Sequence, residues 1–304
     1  MAAEANKGAF VAIAAYATLW AGATGYLLIT DGDWSTGVFV LAIFGLIFSA
    51  LAWGLTRGAA ALAIAVERPA REGCAVLLYL AFYAVAFLGF GMTAAREAVP
   101  EGREQEALVM ALKLTVHVAA PALLLVLLGA RISPIIQAGL SGRKFMRTFI
   151  VLGAAILAVL CVISPSLRNI AATNASAATL AWAAPATFFW VAIEAGLNEE
   201  FLFRGVVQTR LTAWFKSPWF GVVATSIIFG LVHAPGLYLR GGPGEHGWSE
   251  DPLQVAAYTI AVLSPVSLLF GLIYARTKSL LLVVLLHAMV DVLPSMAEFI
   301  RIWA

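Results

Sequence analysis

Nine apolar segments of about 20 residues each dominate this chain of 304 residues. A helix rises about 1.5 Å per residue, so each segment can cross the roughly 30 Å hydrocarbon core of a membrane. The segments lie at 8–30, 37–56, 73–94, 107–130, 148–164, 179–197, 219–238, 255–275 and 279–297. We therefore expect an all-α fold, a polytopic transmembrane bundle of about eight or nine helices.

The composition excludes several classes of protein. Hydrophobic residues make up 62% of the chain and charged residues only 12%, whereas soluble domains have about 25% charged residues. Nucleic-acid binding, a soluble enzyme and a secreted disulfide scaffold are therefore not expected. Cys74 and Cys161 both lie in apolar runs without a neighbouring cysteine, so neither indicates a disulfide framework or a metal motif.

The distribution of basic residues predicts how the chain is oriented. If the amino end is cytoplasmic, thirteen Lys and Arg residues fall on the cytoplasmic side and five on the other side. This bias follows the positive-inside rule and favours a cytoplasmic amino terminus. The chain is rich in Ala and has 14 Arg against 5 Lys, a composition that suggests a bacterial inner (plasma) membrane.

Charged residues directly follow the sixth apolar segment. An ionisable side chain inside a span costs roughly 2.5–3.5 kcal/mol on insertion and usually faces the bundle interior. Glu199 and Glu200 follow Leu197, and Arg204 lies four residues after Glu200 on the same helix face. Glu200 can therefore pair with Arg204 while Glu199 faces elsewhere. A helix that leaves the membrane here with solvated charges fits the same residues.

Histidines occur inside two later apolar runs. His233 lies in the run at 219–239, and His287 precedes Asp291 by four residues in the run at 279–293. A lone histidine in an apolar helix is usually a packing residue, but a carboxylate on the same face suggests a functional pair. His117 has no acidic residue three or four positions away, and His246 lies in the Gly-rich loop at 238–252, so we assign neither a role.

The spacing from the turn predicts that Glu199 and His233 face one another. Glu199 lies 18 residues before Ser217, and His233 lies 16 residues after it. In an antiparallel hairpin this difference corresponds to only about 3 Å of depth. His287 is nine residues beyond Lys278, so it reaches the same depth only if its own turn lies deeper or the helices tilt.

These three motifs resemble a known family. Glu-Glu-x-x-x-Arg at 199–204, Phe-x-x-x-His at 229–233 and His-x-x-x-Asp at 287–291 occur in this order. They resemble the CAAX protease and bacteriocin-processing family of intramembrane glutamic endopeptidases. The segment from Tyr274 to Leu280 and the context of His287 are similar as well.

The resemblance covers roughly 150–297 and implies a division of the chain. We expect a CAAX-protease-like intramembrane catalytic core at 148–304. The N-terminal transmembrane helices at 1–147 have no assigned role.

The family also implies a peptidase that needs neither metal nor cofactor. A glutamate and a histidine activate a water, and a second histidine with Asn or Asp stabilises the oxyanion. Asp291 stands where many members have Asn, and a carboxyl group must be protonated to donate a hydrogen bond. Carried over to this chain, the water-activating pair is Glu199 and His233, the oxyanion partners are His287 and Asp291, and the positioning residues are Glu200 and Arg204.

The chemistry of amide hydrolysis fits these assignments. The reaction needs a base for the water, donors for the oxyanion and a proton for the leaving amine. The chain has no Gly-x-Ser-x-Gly motif, and both cysteines are remote from the three motifs. We therefore expect direct attack by water on a small peptide or a membrane-anchored protein tail. The expected partners are this substrate and the lipid bilayer, without nucleic acid.

Three alternatives stay open at this point. Glu199, His233, His287 and Asp291 would form an acceptable ligand set for zinc in a metal-dependent membrane protease, although the chain lacks a His-Glu-x-x-His motif. A non-catalytic membrane scaffold could retain the fold of the family. A proton-coupled transporter would predict repeat symmetry, and the sequence has no visible repeat.

Overall fold

The computed structural model describes residues 2–59, 64–137, 139 and 141–304, with only the backbone described for residues 2–7. Within the predicted N-terminal region, positions 1, 60–63, 138 and 140 lie outside the described residues. All regular secondary structure in the described parts of the chain is helical.

The prediction of a polytopic helical bundle is confirmed. Nine helices in the described residues are long and apolar enough to cross a membrane, and the chain is an integral membrane protein. Two short helices, α5 and α7, connect longer ones. The helices are α1 (Ala2–Ile29), α2 (Trp34–Leu55), α3 (Pro69–Ala98), α4 (Arg103–Leu127), α5 (Ser133–Gln137), α6 (Gly142–Ile163), α7 (Ser166–Ala172), α8 (Ala177–Phe215), α9 (Pro218–Arg240), α10 (Pro252–Thr277) and α11 (Leu280–Trp303).

Helix α8 is much longer than expected. The predicted span ended at residue 197 and left Arg204 and Arg210 in a polar connection, but α8 continues to Phe215 and buries both side chains. The reason is that each arginine has a carboxylate partner within the bundle. Arg204 pairs with Glu200, and Arg210 Nε lies 3.2 Å from Glu72 Oε2 on α3. When Arg204 and Arg210 are left out of the count of Lys and Arg, the predicted cytoplasmic side still has more of these residues than the other side, so the predicted orientation does not change.

Two tight turns join the helices that carry the predicted motifs. Lys216 and Lys278 end α8 and α10 in the left-handed conformation, each with φ of +51°. The next residue in each turn, Ser217 or Ser279, caps the following helix by accepting a hydrogen bond from a backbone N–H. The predicted turn at Ser217 is therefore confirmed, and α8–α9 and α10–α11 are antiparallel hairpins.

Helices α10 and α11 lie at the centre of the bundle and are its most buried members. Helix α9 packs along α10, and α11 packs against α8 and α6. Helices α1 and α2 cover the outer side of α10, and α3 packs against α9 and α8. Both predicted parts of the chain contribute to one hydrophobic core, in which Phe44 and Val76 join Leu269 and Leu286.

Candidate active site

Glu199, His233 and His287 meet inside the bundle. The Nε2 atom of His233 lies 3.8 Å from Glu199 Oε1. The Nε2 atom of His287 lies 3.8 Å from Glu199 Oε2. The proximity of Glu199 and His233 that the spacing predicted is therefore confirmed. Three helices, α8, α9 and α11, bring one acid and two bases to one point.

The Glu200–Arg204 pair is fully buried. Arg204 Nε donates a hydrogen bond of 2.8 Å to Glu200 Oε2, and both side chains are 0% exposed. Arg204 also donates to Ser267 Oγ on α10 at 3.0 Å. The interpretation of this segment as a helix that leaves the membrane with solvated charges is wrong. An ion pair that is this well enclosed needs such extra hydrogen bonds to offset the loss of hydration.

The second oxygen of Glu200 holds His287. His287 Nδ1 lies 2.7 Å from Glu200 Oε1, so the imidazole donates this hydrogen bond to a carboxylate already balanced by Arg204. The Phe270 ring stacks on the His287 ring at 5.1 Å between centroids and 15° between planes. These contacts fix the ring, and its Nε2 atom lies 3.2 Å from Asp291 Oδ2.

The depth of His287 follows from the position of its turn. His287 is nine residues beyond Lys278, whereas His233 is 17 residues beyond Lys216. The difference of eight residues corresponds to about 12 Å along helices of equal tilt. Thr277 and Ser279 at the turn between α10 and α11 are buried, whereas Lys216 at the turn between α8 and α9 is exposed. A deeper turn, one of the two possibilities that the spacing left open, therefore contributes to the depth of His287.

His233 is oriented by its own helix. Its Nδ1 atom lies 2.6 Å from the carbonyl oxygen of Phe229. A carbonyl oxygen only accepts, so Nδ1 carries the hydrogen and Nε2 is the atom that faces Glu199. The side chains of His233 and Glu199 keep 27% and 18% of their surface exposed. This edge of the site is therefore open to a small molecule or an extended peptide.

Widened helical turns flank the acidic pair on α8. Residues Ala192–Leu197 and Phe201–Gln208 form π-helical turns, and the α-helical residues Asn198–Glu200 lie between them. Such turns change the direction in which side chains point and are frequent at functional sites. Here they surround Glu199 and Glu200, which the hydrophobic pattern alone could not reveal.

Helices α3 and α4 add polar residues beside the site that the sequence analysis missed. Lys113 on α4 forms an ion pair with Glu194 on α8. His117, to which we assigned no role, lies 2.6 Å from the Tyr83 hydroxyl through Nε2 and is buried. The signal was a lysine and a histidine four residues apart in one apolar run. Nothing in the sequence indicated that this run contacts α8.

The geometry also bears on the zinc alternative. In the part of the chain that the structure describes, no group of three or more His, Cys, Asp or Glu side chains could hold a metal ion. Protein nitrogen and oxygen ligands approach zinc to about 2.0–2.2 Å. Two ligands of one tetrahedral zinc therefore lie about 3.4 Å from each other. The 3.8 Å separations of Glu199 from His233 and His287 suit a shared zinc as well as a bridging water, so these two distances leave the zinc alternative open.

Comparison with known proteins shows a family similarity in the segment that carries the site. The model of the family described as type II CAAX prenyl endopeptidase Rce1-like matches residues 180–293. This segment is similar to the Rce1-like family and makes up a little over a third of the chain. The resemblance derived from the three motifs is therefore confirmed. Comparisons with curated proteins and with solved structures gave no match.

All six predicted site residues lie inside the Rce1-like segment. The structure joins them through the contacts of Glu199 with both histidines and through the series of polar contacts from Arg204 to Glu200, from Glu200 to His287 and from His287 to Asp291. The family is one of membrane proteases, which act on a peptide or protein in the lipid bilayer. Helices α1 to α7 lie outside the matched segment.

Replacing Glu200 or Arg204 by alanine should destabilise the protein as well as impair activity. Each substitution leaves the remaining partner buried and unpaired, which costs about 3–5 kcal/mol. We expect the melting temperature of Glu200→Ala and Arg204→Ala in detergent to fall well below that of the wild type. Glu250→Ala, which removes an exposed carboxylate from the loop after α9, serves as the control. Melting temperatures equal to the control would show that the pair contributes no more than a surface charge.

Proposed function

We propose that this protein is an intramembrane glutamic-type endopeptidase that hydrolyses a peptide bond with a water activated by Glu199 and His233. The observation that carries the proposal is the convergence of Glu199, His233 and His287 at 3.8 Å contacts on three helices of the Rce1-like segment. Each side chain corresponds to a step of amide hydrolysis.

The first step in this mechanism is activation of the water. A distance of 3.8 Å is too long for a direct hydrogen bond and suits a bridge through one water molecule. Glu199 accepts a proton from that water, and Nε2 of His233 accepts a second hydrogen bond from it and orients it. The water oxygen then attacks the peptide carbonyl carbon. Positioned bases of this kind accelerate proton transfer by about 10²–10⁴-fold.

The second step is stabilisation of the oxyanion. Glu200 holds the hydrogen of His287 on Nδ1, which leaves Nε2 directed toward Glu199 and Asp291. Nε2 of His287 or the carboxyl group of Asp291, when protonated, donates a hydrogen bond to the carbonyl oxygen as negative charge develops on that oxygen. The carbon–nitrogen bond then breaks, and Glu199 returns its proton to the leaving amine. The products are a carboxylic acid and an amine, so the bridging water is consumed.

The burial pattern supports a substrate that enters from one side. Asp291 has 31% of its side chain exposed, comparable to His233, whereas Glu200 and Arg204 are enclosed. The open edge can admit an extended peptide segment, and the proposed substrate is a small peptide or the tail of a membrane-anchored protein. Such a substrate can reach the site without removal of its anchor from the bilayer.

The proposal includes the arrangement of the chain in its membrane. We place the protein in a bacterial plasma membrane with a cytoplasmic amino terminus, on the basis of the distribution of Lys and Arg. The catalytic core is the region 148–304, which contains the matched segment. The region 1–147 supports this core by packing against α8, α9 and α10.

Removing the proposed base or its histidine partner should abolish cleavage. Glu199→Gln keeps the size and polarity of the side chain but cannot take a proton, and His233→Ala removes the water-orienting nitrogen. We expect each to lower the cleavage rate of an identified substrate by about 10²–10⁴-fold with an unchanged melting temperature. His246→Ala, in the loop after α9, is the control. Near wild-type cleavage by both site variants would contradict the assignment.

Activity should be independent of a bound metal. The proposed steps use only side chains and water, so prolonged chelation followed by metal analysis should leave an active protein with well under one equivalent of zinc. Loss of activity that is restored stoichiometrically by zinc would show instead that the site binds zinc, with Glu199, His233, His287 and Asp291 as the ligands. Normal folding without cleavage of any peptide or tail tested would favour the scaffold alternative instead.

Substitution of Asp291 tests how this residue serves the oxyanion. Our hypothesis is that Asp291 acts as a protonated donor, for which an asparagine amide is a near-functional substitute. Asp291→Asn should retain most of the activity, and Asp291→Ala should lose much of it, as measured by the initial rate of cleavage. An Asn variant as inactive as the Ala variant would leave Asp291 as the anionic partner of His287.

A further inference from the structure

An apolar cavity lies between α1, α2, α9 and α10, on the opposite side of α10 from α11. Its volume is about 470 Å³, within the range of about 300–1,000 Å³ that is typical of small-molecule sites. Hydrocarbon and aromatic side chains form most of the wall. They include Ile13, Trp20, Leu41, Trp219, Val222 and Leu268.

The polar groups at the border of this cavity are already hydrogen-bonded within the protein. The Tyr16 hydroxyl lies 3.0 Å from Ser264 Oγ, and Trp20 Nε1 donates to the carbonyl oxygen of Ala261 at 3.0 Å. Ser49 Oγ donates to the carbonyl oxygen of Phe44 at 3.1 Å. A buried water needs two to four polar partners, and the donor hydrogens of Tyr16, Trp20 and Ser49 are already engaged within the protein. The cavity therefore suits a hydrocarbon chain rather than water.

A smaller hollow of about 150 Å³ adjoins this cavity and has one cationic side chain in its wall. Trp219, Val222 and Leu272 border both spaces, and Arg276 lies at the far side of the smaller one. The Arg276 guanidinium sits over the Trp53 ring at 3.7 Å from its centroid. The two spaces together thus pair an apolar compartment with a positively charged end.

Arg276 has hydrogen-bonding capacity that the described residues do not use. Its hydrogen bonds to these residues come from Nε, which donates to Thr56 Oγ1 at 2.7 Å, and from Nη2, whose contacts are longer at 3.4 and 3.5 Å. None of the ion pairs among the described residues includes Arg276. A planar guanidinium with an unused edge is well suited to a phosphate group.

Other cations reinforce the positive charge at this end of α2. Lys144 Nζ donates to the carbonyl oxygen of Gly58 at 2.8 Å, and Arg147 Nη2 donates to that of Leu55 at 2.8 Å. Thr56, which accepts a hydrogen bond from Arg276, lies between Leu55 and Gly58 in the sequence. Basic pockets between transmembrane helices are typical binding sites for anionic lipid headgroups.

We propose that the two hollows together form a binding site for one anionic phospholipid. One acyl chain occupies the apolar cavity beside α1, and the phosphate binds Arg276. The lipid then fills space at the junction of α1 and α2 with α9 and α10, where protein side chains leave a gap. This site is separate from the proposed catalytic residues, and the inference does not depend on the peptidase activity.

Native mass spectrometry of the purified, delipidated protein tests the proposal. The probes are palmitoyl-oleoyl phosphatidylglycerol and phosphatidylcholine with the same chains, titrated separately. We expect one tightly bound phosphatidylglycerol, favoured over phosphatidylcholine by about fivefold for one basic residue near the headgroup. Arg276→Gln should abolish this preference, whereas Arg143→Gln, at an exposed position near the same end of the bundle, should retain it.

Variants of α1 test the acyl-chain cavity. Ala17 and Ala21 line the cavity, so Ala17→Phe and Ala21→Phe place an aromatic ring in it. Each should lower the affinity for both lipids at least several-fold, with an unchanged melting temperature in detergent alone. Ala14→Phe, at an exposed position on the same helix outside the cavity, should bind like the wild type. Equal affinity of all three variants, or no preference of the wild type for phosphatidylglycerol, would overturn the proposal.

Discussion

The buried ion pair between Glu200 and Arg204 is the interaction on which the site depends. A lone charge inside the bundle would be costly, but the pair lets α8 continue through the membrane instead of ending after Leu197. Because Arg204 balances one oxygen of Glu200, the other oxygen is free to hold His287 across the α8–α11 interface. The ring of His287 then faces Glu199. A single ion pair thus determines both the course of α8 and the orientation of a histidine on another helix.

Helix α8 obtains partners for its charges from four other helices, α3, α4, α9 and α11. Each charged group along it has a partner within 4.0 Å, and only one of these pairs lies within α8 itself. The pairs are Glu194 with Lys113, Glu199 with His233 and His287, Glu200 with Arg204, and Arg210 with Glu72. Lys113 and Glu72 belong to α4 and α3, outside the Rce1-like segment. The N-terminal helices therefore supply partners for two of the charges that α8 carries inside the bundle.

The sequence predicted the parts of this arrangement that depend on spacing along one helix or across one tight turn. Glu200 and Arg204 are four residues apart, and Glu199 and His233 are nearly equidistant from Ser217, so their contacts followed from helix geometry. The depth of His287 depends on where a second hairpin sits within the bundle, which spacing does not specify. The length of α8 and the contact between Tyr83 and His117 depend on partners from remote segments, so a linear hydrophobic pattern could not reveal them.

The proposed mechanism depends on the activation of water by Glu199 for peptide hydrolysis in the membrane. The most direct test compares the protein termini in cells that express the wild type with those in cells that express Glu199→Gln at equal abundance. We expect a defined set of new termini, from small peptides or membrane-anchored proteins, that is present with the wild type and absent with the variant. Identical sets of termini, with both proteins correctly inserted, would contradict it.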